Sequence, residues 1–155
     1  MKQSHPLAVK FVLTHCFFLL FLNAGAQNDF RNSIYAELGG NAWNYSVNYE
    51  RIFSKQVPVK VGISLLPRNI GITMMAGKYF GSQAHHFELL GGISYAQEHD
   101  KIGEVSTYYH CLYATAFIGY RYQKPNRRFL FRAGYTPYFS EKSGHRAGIS
   151  AGYRF

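Results

Sequence analysis

The sequence predicts an all-β fold: an eight-stranded antiparallel up-and-down barrel with meander topology, preceded by a signal peptide. Three observations predict it. From Gln27 onward apolar and polar residues alternate with period two, so side chains sort onto the two faces of strands and not onto one stripe of a helix. Turn-forming stretches break that alternation into eight segments. The composition, with 15 Gly and 13 Tyr in 155 residues, fits short strands and tight turns better than helices.

Before the first strand lies a segment of different character. Lys2 and Lys10 are positive, residues 11–22 are largely apolar, and Ala24-Gly25-Ala26 offers small residues for cleavage. This reads as a secretory signal peptide over 1–26, cut before Gln27. A transmembrane anchor fits less well, because the apolar run is about 12 residues where a spanning helix needs roughly 20. A lipoprotein reading through Cys16 fails because His15 precedes it and the apolar run continues past it. Cleavage would leave Cys111 as the sole cysteine, so the exported domain, 27–155, is not stapled by disulfides. It would also lower the formal charge from +9 to +7. The remaining cations are scattered along the chain, which argues against nucleic acid as a partner.

The eight strands are expected at 33–42, 44–53, 57–66, 69–80, 85–97, 108–123, 128–139 and 145–155. "FSKQ", "PRN", "GSQA", "KPNR" and "SEKSG" supply turns between them. The stretch 98–107, "EHDKIGEVST", is expected to be the longest loop.

The two faces decide the class. One collects Ile34, Leu38, Val47, Val61, Ile63, Ile72, Met74, Phe87, Leu89, Ile93, Leu112, Ile118, Phe129 and Ile149, with aromatics near segment ends. The other collects Ser46, Asn48, Ser64, Thr73, Ser94, Thr115, Thr136, Ser150 and many glycines, with a few isolated charges. A soluble barrel would turn its polar face to water and carry Lys, Glu and Asp there. Small polar groups suit a crowded interior instead, and a continuous apolar exterior suits lipid. The segment lengths also match strands tilted across a bilayer, and an even strand count leaves no unpaired edge in hydrocarbon. The class is therefore a transmembrane β-barrel.

At eight strands the interior is just wide enough to be filled by side chains. Glu37, Glu50 and Glu88 supply three inward negatives, and Lys60, Arg121 and Arg132 three inward positives. They are expected to form a paired cluster that plugs the half of the lumen nearer the termini. Trp43, Tyr120 and Tyr122 are expected to anchor the barrel at the membrane interfaces.

The stretches "YSVNYERIF" (45–53), "HFELLGGISY" (86–95), "GYRYQKPNRRFLFRAGYTPYF" (119–139) and the terminal "AGISAGYRF" together resemble the small eight-stranded outer-membrane barrels of the OmpX and OmpA-barrel type. The form is the one common among Bacteroidetes-like Gram-negative bacteria. The resemblance spans nearly all of the chain after residue 26. It implies both termini in the periplasm, a strand order that follows the chain, and insertion by the outer-membrane assembly machinery, which reads the last strand. Tyr153 and Phe155 would then be the assembly signal. It implies no single biochemical activity and no cofactor. The expected function is that of a structural or surface-interaction protein with a filled, non-conducting lumen. Its partners would be outer-membrane lipids, the assembly machinery, and a surface polymer or protein met through the outer loops.

The alternative is a lipid A- or phospholipid-modifying enzyme on the same barrel. It would need a nucleophile and a base near the outer rim. His85, His86, His99, His110 and His145 could supply the base and Ser94, Ser106 or Ser140 the nucleophile, but no spacing among them orients a base by a third group. No metal site is expected, loop residues such as His99, Asp100 and His145 being more simply solvated. Cys111 reads as a small apolar filler.

Overall fold

The computed structural model describes residues 30–40, 45–54, 56–66, 69–102, 105–140 and 143–155. The expected signal peptide, the anchor Trp43 and the turn residue Lys55 lie outside them. Eight strands follow in chain order: β1 (Asn32–Gly39), β2 (Tyr45–Ser54), β3 (Val57–Leu66), β4 (Asn69–Ser82), β5 (His85–Ile102), β6 (Val105–Tyr122), β7 (Phe129–Phe139) and β8 (Gly144–Arg154). Each pairs antiparallel with its chain neighbours, and β1 pairs with β8 to close the barrel. The sheet is thus all-antiparallel with no crossover, and closure leaves no open edge among these strands.

Closure rests on a seven-pair register from Ser33↔Arg154 to Gly39↔Gly148. Beyond it Asn32 and Phe155 exchange both backbone bonds, at 3.0 and 2.8 Å, so pairing continues to the final residue. The guanidinium of Arg154 sews three elements together at this end. Its Nη1 donates to the carbonyls of Lys124 and Arg127 in the β6–β7 turn, and its Nη2 to Phe30 before β1, all at 3.3–3.4 Å.

The faces separate as the alternation demands. Ile34, Val47, Ile63, Met74, Ile93 and Leu112 point outward and are exposed, whereas Ser46, Asn48, Ser64, Thr73, Ser94, Thr115 and Thr136 point inward and are buried. A polar interior inside an apolar exterior is the reverse of a soluble protein's arrangement and matches a barrel whose solvent is lipid. A small apolar layer of Met75, Leu90 and Phe117 also sits inside.

Two departures from the sequence reading have physical causes. The stretch 98–107 is not a long loop: β5 and β6 stay paired from Glu98↔Tyr109 to Ile102↔Val105. Polar residues in a sequence do not exclude a backbone ladder, and Ile102, Val105, Thr107, Tyr108 and Tyr109 are strand formers. Cys111 is exposed on β6 and fills no interior space. A third feature is local. The ladder between β6 and β7 is interrupted between Thr115↔Tyr138 and Ile118↔Tyr135, where Pro137 has no N–H to donate. There the Thr115 hydroxyl donates to the Pro137 carbonyl at 3.2 Å.

Candidate functional site

Strand parity aims six ionisable side chains at the barrel axis: Glu37 from β1, Glu50 from β2, Lys60 from β3, Glu88 from β5, Arg121 from β6 and Arg132 from β7. All have 0–1 % of their surface exposed, so no water layer separates them from the lumen wall. Isolated charges buried so deeply would be prohibitively costly, and each must find an opposite partner.

Five ion pairs supply those partners. Arg121 Nη2 reaches Glu50 Oε1 at 2.6 Å, across the lumen from β6 to β2, and Arg121 Nη1 reaches Glu88 Oε1 at 3.2 Å. Glu88 Oε2 accepts from Arg132 Nε at 2.7 Å. Arg132 Nη1 lies 3.8 Å from Glu37 Oε2, which also accepts from Lys60 Nζ at 3.4 Å. The chain Glu50–Arg121–Glu88–Arg132–Glu37–Lys60 alternates in sign and balances three against three. It spans the barrel from one wall to the other.

Neutral side chains extend the network. Ser33 donates to Glu50 at 3.3 Å and Ser150 to Glu37 at 3.5 Å. Arg121 Nε donates to Gln123 Oε1 at 2.8 Å, and Arg132 Nη1 to the Tyr35 hydroxyl at 2.6 Å. Aromatic faces take the remaining cationic surface. Arg132 lies over Phe117 and Tyr35, at 4.5 and 4.8 Å from the ring centres, and Arg121 over Tyr79 at 5.0 Å. Sequence reasoning missed Ser33, Tyr35, Tyr79, Phe117 and Gln123 as partners, although all share the inward parity of the charges.

Small hydroxyl side chains also line the lumen. Ser46, Ser64, Thr73, Ser94, Thr115, Thr136 and Ser150 give one from each of β2 to β8, all buried. On β2, β3, β5, β6 and β7 this hydroxyl lies farther from the termini than the charge. Ser94 donates to Thr73 at 2.8 Å.

The lumen opens at the termini-bearing end into a cavity of about 410 Å³. Its wall includes Arg31, Tyr79, His86, Gln123 and Arg154.

The other expected residues fall outside this interior. Tyr120 is exposed on the apolar face and bonds His85 Nδ1 at 2.6 Å. Half-buried Tyr122 packs edge-on against the same His85 ring and tilted against Phe129, at 5.5 and 6.5 Å between centres. Tyr153 faces outward, with its hydroxyl bonded to Arg128, whose guanidinium lies over its ring. Phe155 is exposed beyond the end of β8.

The groups considered for catalysis are dispersed. His110 bonds the Tyr95 hydroxyl at 2.6 Å on the outer face, His145 stacks on Tyr135 at 5.6 Å, and Ser94 is committed to a lumen threonine. The side chains of His99, Asp100 and Ser106 lie outside the described residues. Among the described residues no group of three His, Cys, Asp or Glu is arranged to hold a metal ion.

Solved structures that match this architecture include three barrels. The N-terminal β-barrel domain of Pseudomonas aeruginosa OprF superposes with a TM-score of 0.70 at 16% identity, covering 82% of this chain and 98% of that one. Ail, the attachment invasion locus protein of Yersinia pestis, superposes with a TM-score of 0.57 at 13% identity, covering 81% and 99%. Neisserial surface protein A gives a TM-score of 0.55 at 12% identity, covering 80% and 93%. The fold is that of the small eight-stranded outer-membrane barrels. No family model and no curated protein matches the sequence. At these identities the likeness is one of architecture: an outer-membrane-type barrel, closed in meander order, with a polar interior.

Proposed function

We propose that the protein is a non-conducting outer-membrane barrel, working as a structural or surface-interaction element through its outer connections. The observation that supports this is the ion-pair chain across the lumen, whose six members have 0–1 % of their surface exposed. Both termini lie in the periplasm in this reading, the outer turns face the exterior, and outer-membrane lipid covers the apolar face. Two of the similar structures are by name an attachment invasion locus protein and a surface protein, which supports a role at the cell surface. Tyr153 and Phe155 serve as the assembly signal, and Tyr120 and Tyr122 as interfacial anchors.

Reconstitution into planar bilayers tests the closed lumen. Wild type should give no stepwise conductance, and regular steps would overturn the reading. Affinity purification of the intact barrel from outer membranes tests the interaction role. A stoichiometric surface polymer or protein is the expected result, and a barrel recovered alone would leave a structural role. An altered lipid A profile in a deletion strain would mean an enzyme instead.

A further inference from the structure

The termini-bearing mouth of the lumen is built as a binding site. Its volume, about 410 Å³, falls in the range of small-molecule sites, roughly 300–1,000 Å³. The wall charges are of one sign. Arg31 and Arg154 line it, and no described Asp or Glu does. Arg154 is held rigidly by three carbonyls, so its charge is fixed in place, whereas Arg31 is exposed at the rim.

A second observation points to a ligand. His86, on β5, has only 9 % of its surface exposed, and neither ring nitrogen has a hydrogen-bond partner. The Gln83 backbone is within electrostatic reach of the ring but not in hydrogen-bonding geometry. Tyr79 fixes the imidazole edge-on at 5.1 Å. A polar ring so held and so buried needs a partner, and His86 lines the cavity. The charged groups facing it are Arg121, Arg154 and Glu88. Glu88 is bonded to both Arg121 and Arg132, and no Asp or Glu among the described residues lines the mouth.

We propose that this mouth binds the oxyanion group, carboxylate or phosphate, of a small solute, with Arg31 and Arg154 supplying the charge and His86 a directional hydrogen bond. Gln123 forms the floor: its Oε1 accepts from Arg121, which ties the site to the ion-pair chain. The inference does not depend on whether the outer turns bind a partner, nor on which side of a membrane this end faces.

The test uses the full barrel purified from membranes in a nonionic detergent. Inorganic phosphate, succinate and glycerol are the soluble probes, and short-chain phosphatidylglycerol is the lipid probe. Binding is read by probe linewidth in NMR and by the His86 ring resonance. Phosphate and succinate should bind saturably and shift that resonance, and glycerol should not. His86→Gln and Arg31→Gln should each weaken phosphate binding by about tenfold, near 1.4 kcal/mol, while keeping the heat-modifiable folded band. No saturable binding of either anion would overturn the proposal. Unchanged affinity in both variants would overturn it in favour of diffuse attraction to the basic rim. A response to phosphatidylglycerol alone would overturn it in favour of a bilayer contact.

Discussion

Arg121 and Arg132 stand directly opposite one another on β6 and β7, both fully buried. Like charges in that relationship repel, and on a sheet exposed to water the pair would be destabilising. Glu88 resolves the conflict by placing one oxygen on each guanidinium, at 3.2 and 2.7 Å. It is therefore the central acid of the lumen.

Glu88→Gln should accordingly be more damaging than its small change in shape implies. It removes the charge between two buried cations, and breaking a buried pair costs about 3–5 kcal/mol. Urea unfolding in lipid vesicles, followed by fluorescence of Trp43, the single tryptophan, should show that loss. Lys124→Ala, at an exposed turn, should change stability by no more than about 0.5 kcal/mol. Equal stability of the two variants would refute the cluster's structural role.

Glu37 and Lys60 should behave as a coupled pair. Lys60 stands opposite Glu50 in the β2–β3 register, yet its ammonium bonds Glu37. Glu37→Leu strands Lys60, and Lys60→Met strips Glu37 of one of its two cations. The double variant should be more stable than the sum of the singles predicts, with a coupling of about 1–3 kcal/mol. Additive losses in a double-mutant cycle would count against the pair.

Phe117 lies in a slot made by the paired glycines Gly119 and Gly134. A Cβ on Gly134 would stand 2.5 Å from Phe117 Cζ and 2.8 Å from the Ile118 carbonyl oxygen. Gly134→Ala should therefore displace the ring, which also lies under Arg132 and Lys60, and cost about 1–3 kcal/mol. Shortening the ring with Phe117→Leu in the Gly134→Ala background should recover part of that loss. No recovery in thermal unfolding would show that the backbone, not the ring, is the obstacle.

Deleting Phe155 should lower insertion into the outer membrane while export continues. Its two backbone bonds with Asn32 lie at the closing seam, and in the proposed reading its side chain is part of the assembly signal. A heat-modifiable band of normal intensity from the deletion strain would contradict this.

The paired extension of β5 and β6 should be dispensable. Among the described residues, 99–108 pair only with one another, so joining Glu98 to Tyr109 through a two-residue turn should leave the barrel folded. Loss of the folded band would mean that the extension supports the outer rim.

Much of the fold was legible in the chain because period-two alternation has only two solutions per strand. Once the apolar parity is placed against lipid, Glu37, Glu50, Lys60, Glu88, Arg121 and Arg132 have nowhere to point but inward. Turn residues then bound the strands, except where polar residues at 98–107 imitated a loop while the ladder continued. The mouth around His86 was not legible, since "AHHFE" places His85 and His86 on opposite faces and only closure shows that the second is enclosed.

The sequence by itself determined that eight amphipathic strands would form, which face would meet lipid, and that the six charges of the lumen cluster would balance. Tertiary structure alone decided which cation meets which acid. Glu50 passes over Lys60, its neighbour across the β2–β3 ladder, to bond Arg121 on the far wall, and Glu37 takes Lys60. The physical reason is that alternation specifies a face but not a position around the barrel or along its axis. Those depend on strand stagger and closure, which bring together residues 71 positions apart in the chain.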